Sequence, residues 1–430
     1  MSDLHINMPR DVAHIIDVLE QNGHEAFAVG GCVRDAIMGR IPHDWDITTS
    51  AKPAEVKSLF RRTIDTGIQH GTVTVMIGQT GYEVTTYRID GNYCDGRHPE
   101  QVTFTKNLVE DLKRRDFTIN AMAYNDRAGV VDEFNGTKDL ENRIIRCVGV
   151  AAERFTEDAL RILRAIRFSA QLDFTIDTST ADAIKSLAAN LKKISRERIQ
   201  TELDKLITSD HPDRIKLVQT YGLGGYIFDN AKRLSDTSSD NNFCDNNFSD
   251  NNLSYKSFSI YENISDAMEA LPCDHYLRWA ALMIYEEQPQ TVLKGLKFDN
   301  KTIDICNRLL SVKRQPMPQT KPELRRMVVR FGRDLFDQYV FTFLNALSDK
   351  KLYTLSTKND IANAHRLYDE IIKAGDCISM KDMAIKGADL IAMGMAPGKE
   401  LGIILDRLFN MVLDEPSLNA RDILLSKVNI

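Results

Sequence analysis

The feature that most constrains this chain is a change of period near residue 150. Before it, short β-rich runs are separated by Gly, Pro and Asp: AFAVGG (26–31), WDITT (45–49), TVTVMIG (72–78), YEVTTYRI (82–89) and NAMAYN (120–125). Such runs, bounded by turn residues, read as strands. After it, apolar residues recur at helical spacing, as in EDALRILRAIRFSAQL, where Leu160, Leu163, Ile166 and Ala170 form one stripe. The order dictates an α+β fold of several domains, with an N-terminal α/β head followed by helices alone. With 430 residues, one core is not enough.

Bulk chemistry narrows the class. No apolar run reaches the roughly 20 residues of a membrane helix. The N-terminal segment MSDLHINMPRDVAHIIDVLE reads as an amphipathic helix, not a secretion signal, so the expected location is cytoplasmic. Seven scattered cysteines, none in a CxxC pair, argue against a disulfide framework and a zinc site. The net charge of −6 does not exclude a nucleic acid, because phosphate contact needs only a local basic surface. Candidate surfaces are Lys113-Arg114-Arg115, Arg161/Arg164/Arg167, Lys192-Lys193 with Arg196 and Arg198, and Lys313-Arg314 with Arg325, Arg326, Arg330 and Arg333. The stretch 235–257 contains DNNFC-DNNFS-DNNLS and reads as a low-complexity insertion.

The chemistry begins at Asp44-Trp45-Asp46. In extended chain, residues two apart share a face, and two carboxylates side by side suit a hard divalent cation. Upstream, Gly30-Gly31 stand where a strand turns into a helix carrying Arg34 and Asp35, a setting in which backbone N–H groups approach phosphate. A phosphate cradle beside a two-carboxylate site is a layout for phosphoryl or nucleotidyl transfer. Glu83 in YEVTTYR supplies a third acidic group; Asp116 is the alternative. Glu157-Asp158-Ala159-Leu160-Arg161 is expected to open a helix capped by Thr156, with Asp158 and Arg161 on one face. An acceptor beside a donor complements the amino group and ring nitrogen of cytosine or adenine and is reversed for uracil and guanine. Arg198 and Glu202 read as an i,i+4 pair, and Asp274-His275 reads as an ordinary helix start.

Gly30-Gly31, Asp44-x-Asp46 and the later strand carboxylate resemble the nucleotidyltransferase fold of DNA polymerase β-type enzymes. The longer blocks VGGCVRDAIMGRIPHDWDITT (29–49), YRIDGNYCDGRHPEQVTF (87–104), EDLKRRDFTINAMAYN (110–125), ERFTEDALRILRAIRF (153–168) and SRERIQTEL (195–203) resemble class II CCA-adding tRNA nucleotidyltransferases and the related bacterial poly(A) polymerases. That resemblance implies a catalytic head (1–147), a base-selecting neck (148–210), a body (211–320) holding the insertion, and a tRNA-binding tail (321–430). It further implies two Mg²⁺ ions on Asp44 and Asp46, with Glu83 completing the catalytic set. Gly30, Gly31, Arg34, Arg115 and Asn120 would bind triphosphate or ribose, with Arg164 and Arg167 facing the triphosphate or the head. Asp158 and Arg161 would choose CTP and ATP, and Asp95, Arg97 and His98 would lie in a loop that helps the switch from C to A. The implied partners are tRNA, CTP and ATP, with no DNA and no membrane. An enzyme adding only A, or a poly(A) polymerase, would share these motifs.

Overall fold

The computed structural model describes residues 5–91, 102–228 and 264–428. The chain divides into two compact units, residues 1–250 with 295–297 and residues 251–294 with 298–430. This division is coarser than the four parts expected from the sequence.

The first unit opens with α1 (Arg10–Gln21), whose Val12, Ile15, Ile16 and Leu19 are buried. There follow β1 (Ala26–Val29), α2 (Gly31–Ile37), β2 (Ile47–Thr49), α3 (Pro53–Leu59), β3 (Thr63–Gly67), β4 (Thr72–Ile77) and β5 (Thr80–Thr86). After β6 (Arg88–Asp90) and β7 (Val102–Phe104) come α4 (Leu108–Lys113), β8 (Ala123–Asn125), β9 (Gly129–Val131), α5 (Gly136–Glu141) and β10 (Ile144–Ile145). Seven strands form one mixed sheet in the order β3-β4-β5-β2-β1-β8-β9. β1 runs antiparallel to β2 and β8, and β2 runs parallel to β5 with Ile47 opposite Val84. A core of Phe27, Val29, Tyr87, Leu108, Leu112, Ala121, Ala123 and Val148 underlies the central strands. Burial of each large apolar side chain there contributes roughly 1.5–3 kcal/mol.

Helices follow, as the period change requires: α6 (Ala151–Glu157), α7 (Leu160–Leu172), the short β11 (Thr175–Ile176), α8 (Thr178–Ser186) and α9 (Arg196–Ile207). The expected stripe is present, since Leu160, Leu163, Ile166 and Ala170 are all buried. Ile162, Ala165 and Phe168 are buried as well, so α7 is enclosed nearly all round.

One helical boundary differs from expectation. Thr156 is no cap: its hydroxyl donates to the Ala152 carbonyl at 2.7 Å inside α6. The chain breaks at Asp158, which is extended (φ −138°, ψ 103°), and Asp158 Oδ1 accepts from the Leu160 N–H at 3.0 Å. Asp158 therefore caps α7 from a kink between two helices.

The second unit is helical, including α10 (His275–Leu282), α11 (Asn300–Lys313), α12 (Lys321–Phe331), α13 (Lys358–Ala374) and α14 (Lys399–Asp414). Asp274 caps α10 through the Leu277 N–H at 2.9 Å, the helix start read from the sequence. Trp279 is fully buried with its ring 4.6 Å from that of Phe298. A further core joins Met383, Ile385, Leu390, Leu408, Phe409, Val412 and Leu424. Among the described residues no helix is long and apolar enough to cross a membrane.

Candidate active site

The carboxylate pair lies just before β2, not within it. Asp44 and Asp46 are exposed while Trp45 between them is buried, the alternation that extended chain imposes. The strand pairing nevertheless fixes them, because the Val29 N–H donates to the Asp46 carbonyl at 2.9 Å. Since Ile47 lies opposite Val84 in the parallel pair, Asp46 runs alongside Glu83. Glu83 is exposed on β5 while its neighbour Val84 is buried.

Electrostatics bind the three acids into one group. Burial raises the Glu83 pKa, and the charges of Asp46 and Asp44 raise it further. Asp46 is raised by burial and by Asp44, although Arg115 acts in the opposite direction. Within the described residues none of the three carboxylates accepts a side-chain hydrogen bond or forms an ion pair. Close carboxylates without partners repel each other and favour a bound cation. Among the described residues no cluster of three or more His, Cys, Asp or Glu side chains has metal-holding geometry. Mg²⁺ takes one or two carboxylates and completes its shell with water and phosphate oxygens, and the Asp44–Asp46 pair is a donor set of that kind.

Beside the acids is the glycine turn. Gly30 leaves β1 with φ +84° and opens α2. A side chain is excluded there twice over: the left-handed φ disfavours it, and a Cβ would stand 3.0 Å from Arg115 Nη1. Arg34, 8% exposed, donates to Asn120 Oδ1 at 2.7 Å and to Asp35 Oδ1 at 2.9 Å. Gly30, Gly31, Arg34, Arg115 and Asn120 are thus brought together on one side of the carboxylates.

Asp116 stands apart from them. Its carboxylate is 8% exposed and accepts from Arg164 Nε at 2.8 Å, Asn120 Nδ2 at 3.2 Å and the Phe117 N–H at 2.9 Å. Burial alone would raise its pKa, but Arg164 and Arg161 outweigh burial and hold it at about 2. Both oxygens are occupied in a strut between α7 and the segment after α4, so Glu83 and not Asp116 accompanies Asp44 and Asp46. The same strut turns Arg164 to the head, one of the two directions expected for it, with its guanidinium paired to Asp116 at 2.6 Å.

The neck residues are braced in a way local spacing did not reveal. Arg198 pairs with Asp158 at 2.8 Å and Glu202 with Arg167 at 2.6 Å, in place of the expected Arg198–Glu202 pair. Arg167 also lies 4.1 Å over the Phe168 ring and faces α9 through Glu202. Arg161 donates to Glu157 Oε2 and to the Arg114 carbonyl, both at 2.9 Å. Asp158 and Arg161 therefore do not bond each other; each is held by a different neighbour. Asp95, Arg97 and His98 lie outside the described residues. Sequence reading missed Asp111, whose i+3 and i+4 spacing to Arg114 and Arg115 was the available signal.

Several arginines of the basic clusters are held by internal partners. Arg196 donates to the Tyr226 and Ile227 carbonyls, Arg325 pairs with Asp376 at 2.6 Å, and Arg326 pairs with Asp414 at 2.6 Å. Arg326, Arg330 and Arg333 still line a cavity of about 720 Å³ against Phe409 and Leu413 in the second unit.

Comparison with known proteins gives three consecutive family matches. Residues 26–146 match the Poly A polymerase head domain, 173–234 the probable RNA and SrmB-binding site of polymerase A, and 274–428 tRNA nucleotidyltransferase domain 2. A CCA-adding enzyme of Lactiplantibacillus plantarum is 56% identical over 198 residues, 46% of this chain and 49% of that one. That match therefore spans about half of the relative's length. A CCA-adding enzyme of Leuconostoc mesenteroides is 34% identical over 425 residues, 96% of this chain and 94% of the relative. Among solved structures, the Bacillus stearothermophilus CCA-adding enzyme in complex with CTP superposes with a TM-score of 0.74 at 30% identity, covering 95% of this chain and 94% of that one.

Proposed function

The chain belongs to the family of CCA-adding enzymes, and from that membership and its site we infer that it adds C, C and A in turn to the 3′ end of tRNA, taking CTP and ATP and releasing pyrophosphate. The observation that supports the chemistry is the unpartnered acidic group of Asp44, Asp46 and Glu83 beside the Gly30 turn.

Asp44 and Asp46 would hold two Mg²⁺ ions, which supply acidification of the RNA 3′-hydroxyl and charge neutralisation at the triphosphate. Around them the protein's own groups do the positioning. Gly30 and Gly31 bring backbone N–H groups to the phosphates, and Arg34 and Arg115 add guanidinium donors whose fork geometry matches phosphate oxygens. Asn120 fixes Arg34 by accepting its Nη1 hydrogen bond. Glu83 stands as the third carboxylate.

Base choice is assigned to Asp158 and Arg161. Asp158 accepts from the exocyclic amine of C or A, and Arg161 donates to N3 or N1. Arg198 behind Asp158 and Glu157 behind Arg161 prevent either side chain from turning to suit the reversed pattern of U or G. Two buried mispaired groups cost about 4 kcal/mol, on the order of a thousandfold in selection. Arg164 and Arg167 hold the helix that carries this pair. Residues 1–147 act as head, 148–210 as neck, 211–320 as body and 321–430 as a tail that binds tRNA, in the cytoplasm. The Arg326/Arg330/Arg333 cavity is a phosphate-facing candidate within the second unit.

The test offers CTP, ATP, UTP and GTP separately to a tRNA transcript in the presence of Mg²⁺. Wild-type protein is expected to use only CTP and ATP. The double variant D158A/R161A keeps Mg²⁺-dependent transfer but accepts UTP and GTP within about tenfold of CTP. If the double variant still rejects UTP and GTP about a thousandfold, the assignment of base choice is wrong.

A further inference from the structure

Asp111 is a fully buried carboxylate with more donors than charge balance requires. Its Oδ1 accepts from Arg114 Nε and Nη2 at 3.0 and 2.7 Å and from the Arg88 N–H at 3.3 Å. Arg114 alone neutralises it, and a buried carboxylate so satisfied is structurally complete. The second oxygen, Oδ2, points elsewhere. It accepts from the Thr48 hydroxyl at 3.2 Å and faces Arg115 Nη2 at 3.4 Å.

Thr48 sits in β2 two residues after Asp46, and Arg115 is the arginine whose Nη1 lies against the Gly30 turn. Arg115 Nε is buried without a partner. The guanidinium is therefore held from behind by a long, charge-directed contact, with its forward donors left for a ligand. Ahead of it is Asp46, whose carboxylate feels the Arg115 charge. Remove the negative charge at Asp111, and Asp46, which already feels the Arg115 charge, is left to attract the guanidinium. Pairing there would turn the arginine from the phosphates and occupy an oxygen needed for the cation.

We propose that Asp111 is a positioning residue for nucleotide binding: it holds Arg115 off Asp46 and aims it at the triphosphate across the Gly30 turn. The inference rests on the reading of Arg115 as a phosphate contact. Because it acts on phosphates and not on the base, CTP and ATP must be affected alike.

The experiment compares wild type, D111N, R115A and D111N/R115A. Calorimetry with Mg²⁺ and no tRNA gives Kd for CTP and for ATP without turnover, and steady-state addition to tRNA gives kcat and KM. D111N is expected to weaken both nucleotides about tenfold by Kd and KM, with kcat within about threefold and the Mg²⁺ concentration for half-maximal rate raised. D111N/R115A binds within twofold of R115A alone, because the acid acts through the arginine. A D111N Kd within twofold of wild type, or losses that multiply in the double variant, overturns the proposal. Should D111N fail to fold, T48V removes the hydroxyl that donates to Asp111 Oδ2 at 3.2 Å and lies 3.3 Å from the Thr85 carbonyl, leaves the Asp111 charge in place, and carries the same prediction at two- to threefold; unchanged binding there overturns it equally. Wild type that binds CTP but extends no tRNA defeats the functional reading, whereas wild type that completes tRNA while D111N binds normally defeats only the role of Asp111.

Discussion

Replacing Asp116 by alanine should destabilise the first unit by about 4 kcal/mol. The carboxyl titrates at about 2 in the fold instead of 3.8, and that difference is worth about 2 kcal/mol of stability. Alanine loses more, because Arg164 and Asn120 keep their buried donors without an acceptor. Breaking a buried pair from one side costs about 3–5 kcal/mol. The pH dependence has a definite sign. A carboxyl whose folded pKa is depressed stabilises fully above its unfolded value and loses that contribution as pH falls through the folded one. Wild type should therefore lose this increment between about pH 4 and pH 2, and D116A should lack it throughout. The chain has two tryptophans, Trp45 in the first unit and Trp279 in the second, so a Trp279→Phe background leaves Trp45 as sole reporter. Urea unfolding followed by its fluorescence gives the free energy at each pH. A D116A loss below about 1 kcal/mol, or an acid slope equal to that of wild type, refutes the reasoning that Asp116 is a strut.

Three further outcomes are expected. Glu83→Gln should lower kcat by about a hundredfold or more while leaving the urea midpoint unchanged or slightly raised, the opposite of D116A, since the neutral side chain relieves repulsion from Asp46 and Asp44. Gly30→Ala should weaken CTP binding about tenfold in calorimetry and lower stability by about 1 kcal/mol, because φ is +84° and the new Cβ meets Arg115 Nη1 at 3.0 Å. Ile166→Ala, at 0% exposure in α7, should cost about 2–5 kcal/mol in the same unfolding assay.

What the sequence made legible follows physical range. AFAV and TVTVMI were readable as strands because strand propensity and burial agree there. The strand TIDTG was not, since its residues are exposed or half-buried and only pairing with β4 makes it a strand. Glu83 reaches Asp44 and Asp46 only through the parallel pairing of β2 with β5, whereas the alternation that puts those two on one face beyond the Gly30 turn was readable from local pattern. Partner choice among charges was not. Asp158 and Arg198 are 40 residues apart and Arg167 and Glu202 are 35 apart, beyond any i,i+4 rule. The same limit hid the fate of Asp116, since RRD alone does not reveal an arginine arriving from α7. The break at Asp158 was also invisible locally: TEDALRIL has the composition of one continuous helix, and the kink exists because Asp158 caps α7 while held by Arg198. Arg325 looked like part of a basic surface until Asp376 and the Leu413 carbonyl were brought against it by the fold.

The central claim is tested most directly by extension of three tRNA transcripts, ending before CCA, after C and after CC. Each is incubated with Mg²⁺ and CTP, ATP or both, and products are resolved at single-nucleotide length. Completion of CCA on the shortest transcript with both nucleotides, followed by arrest, is the predicted result. Addition of A only to the CC-ended transcript, or unlimited runs of A on any of them, would contradict it.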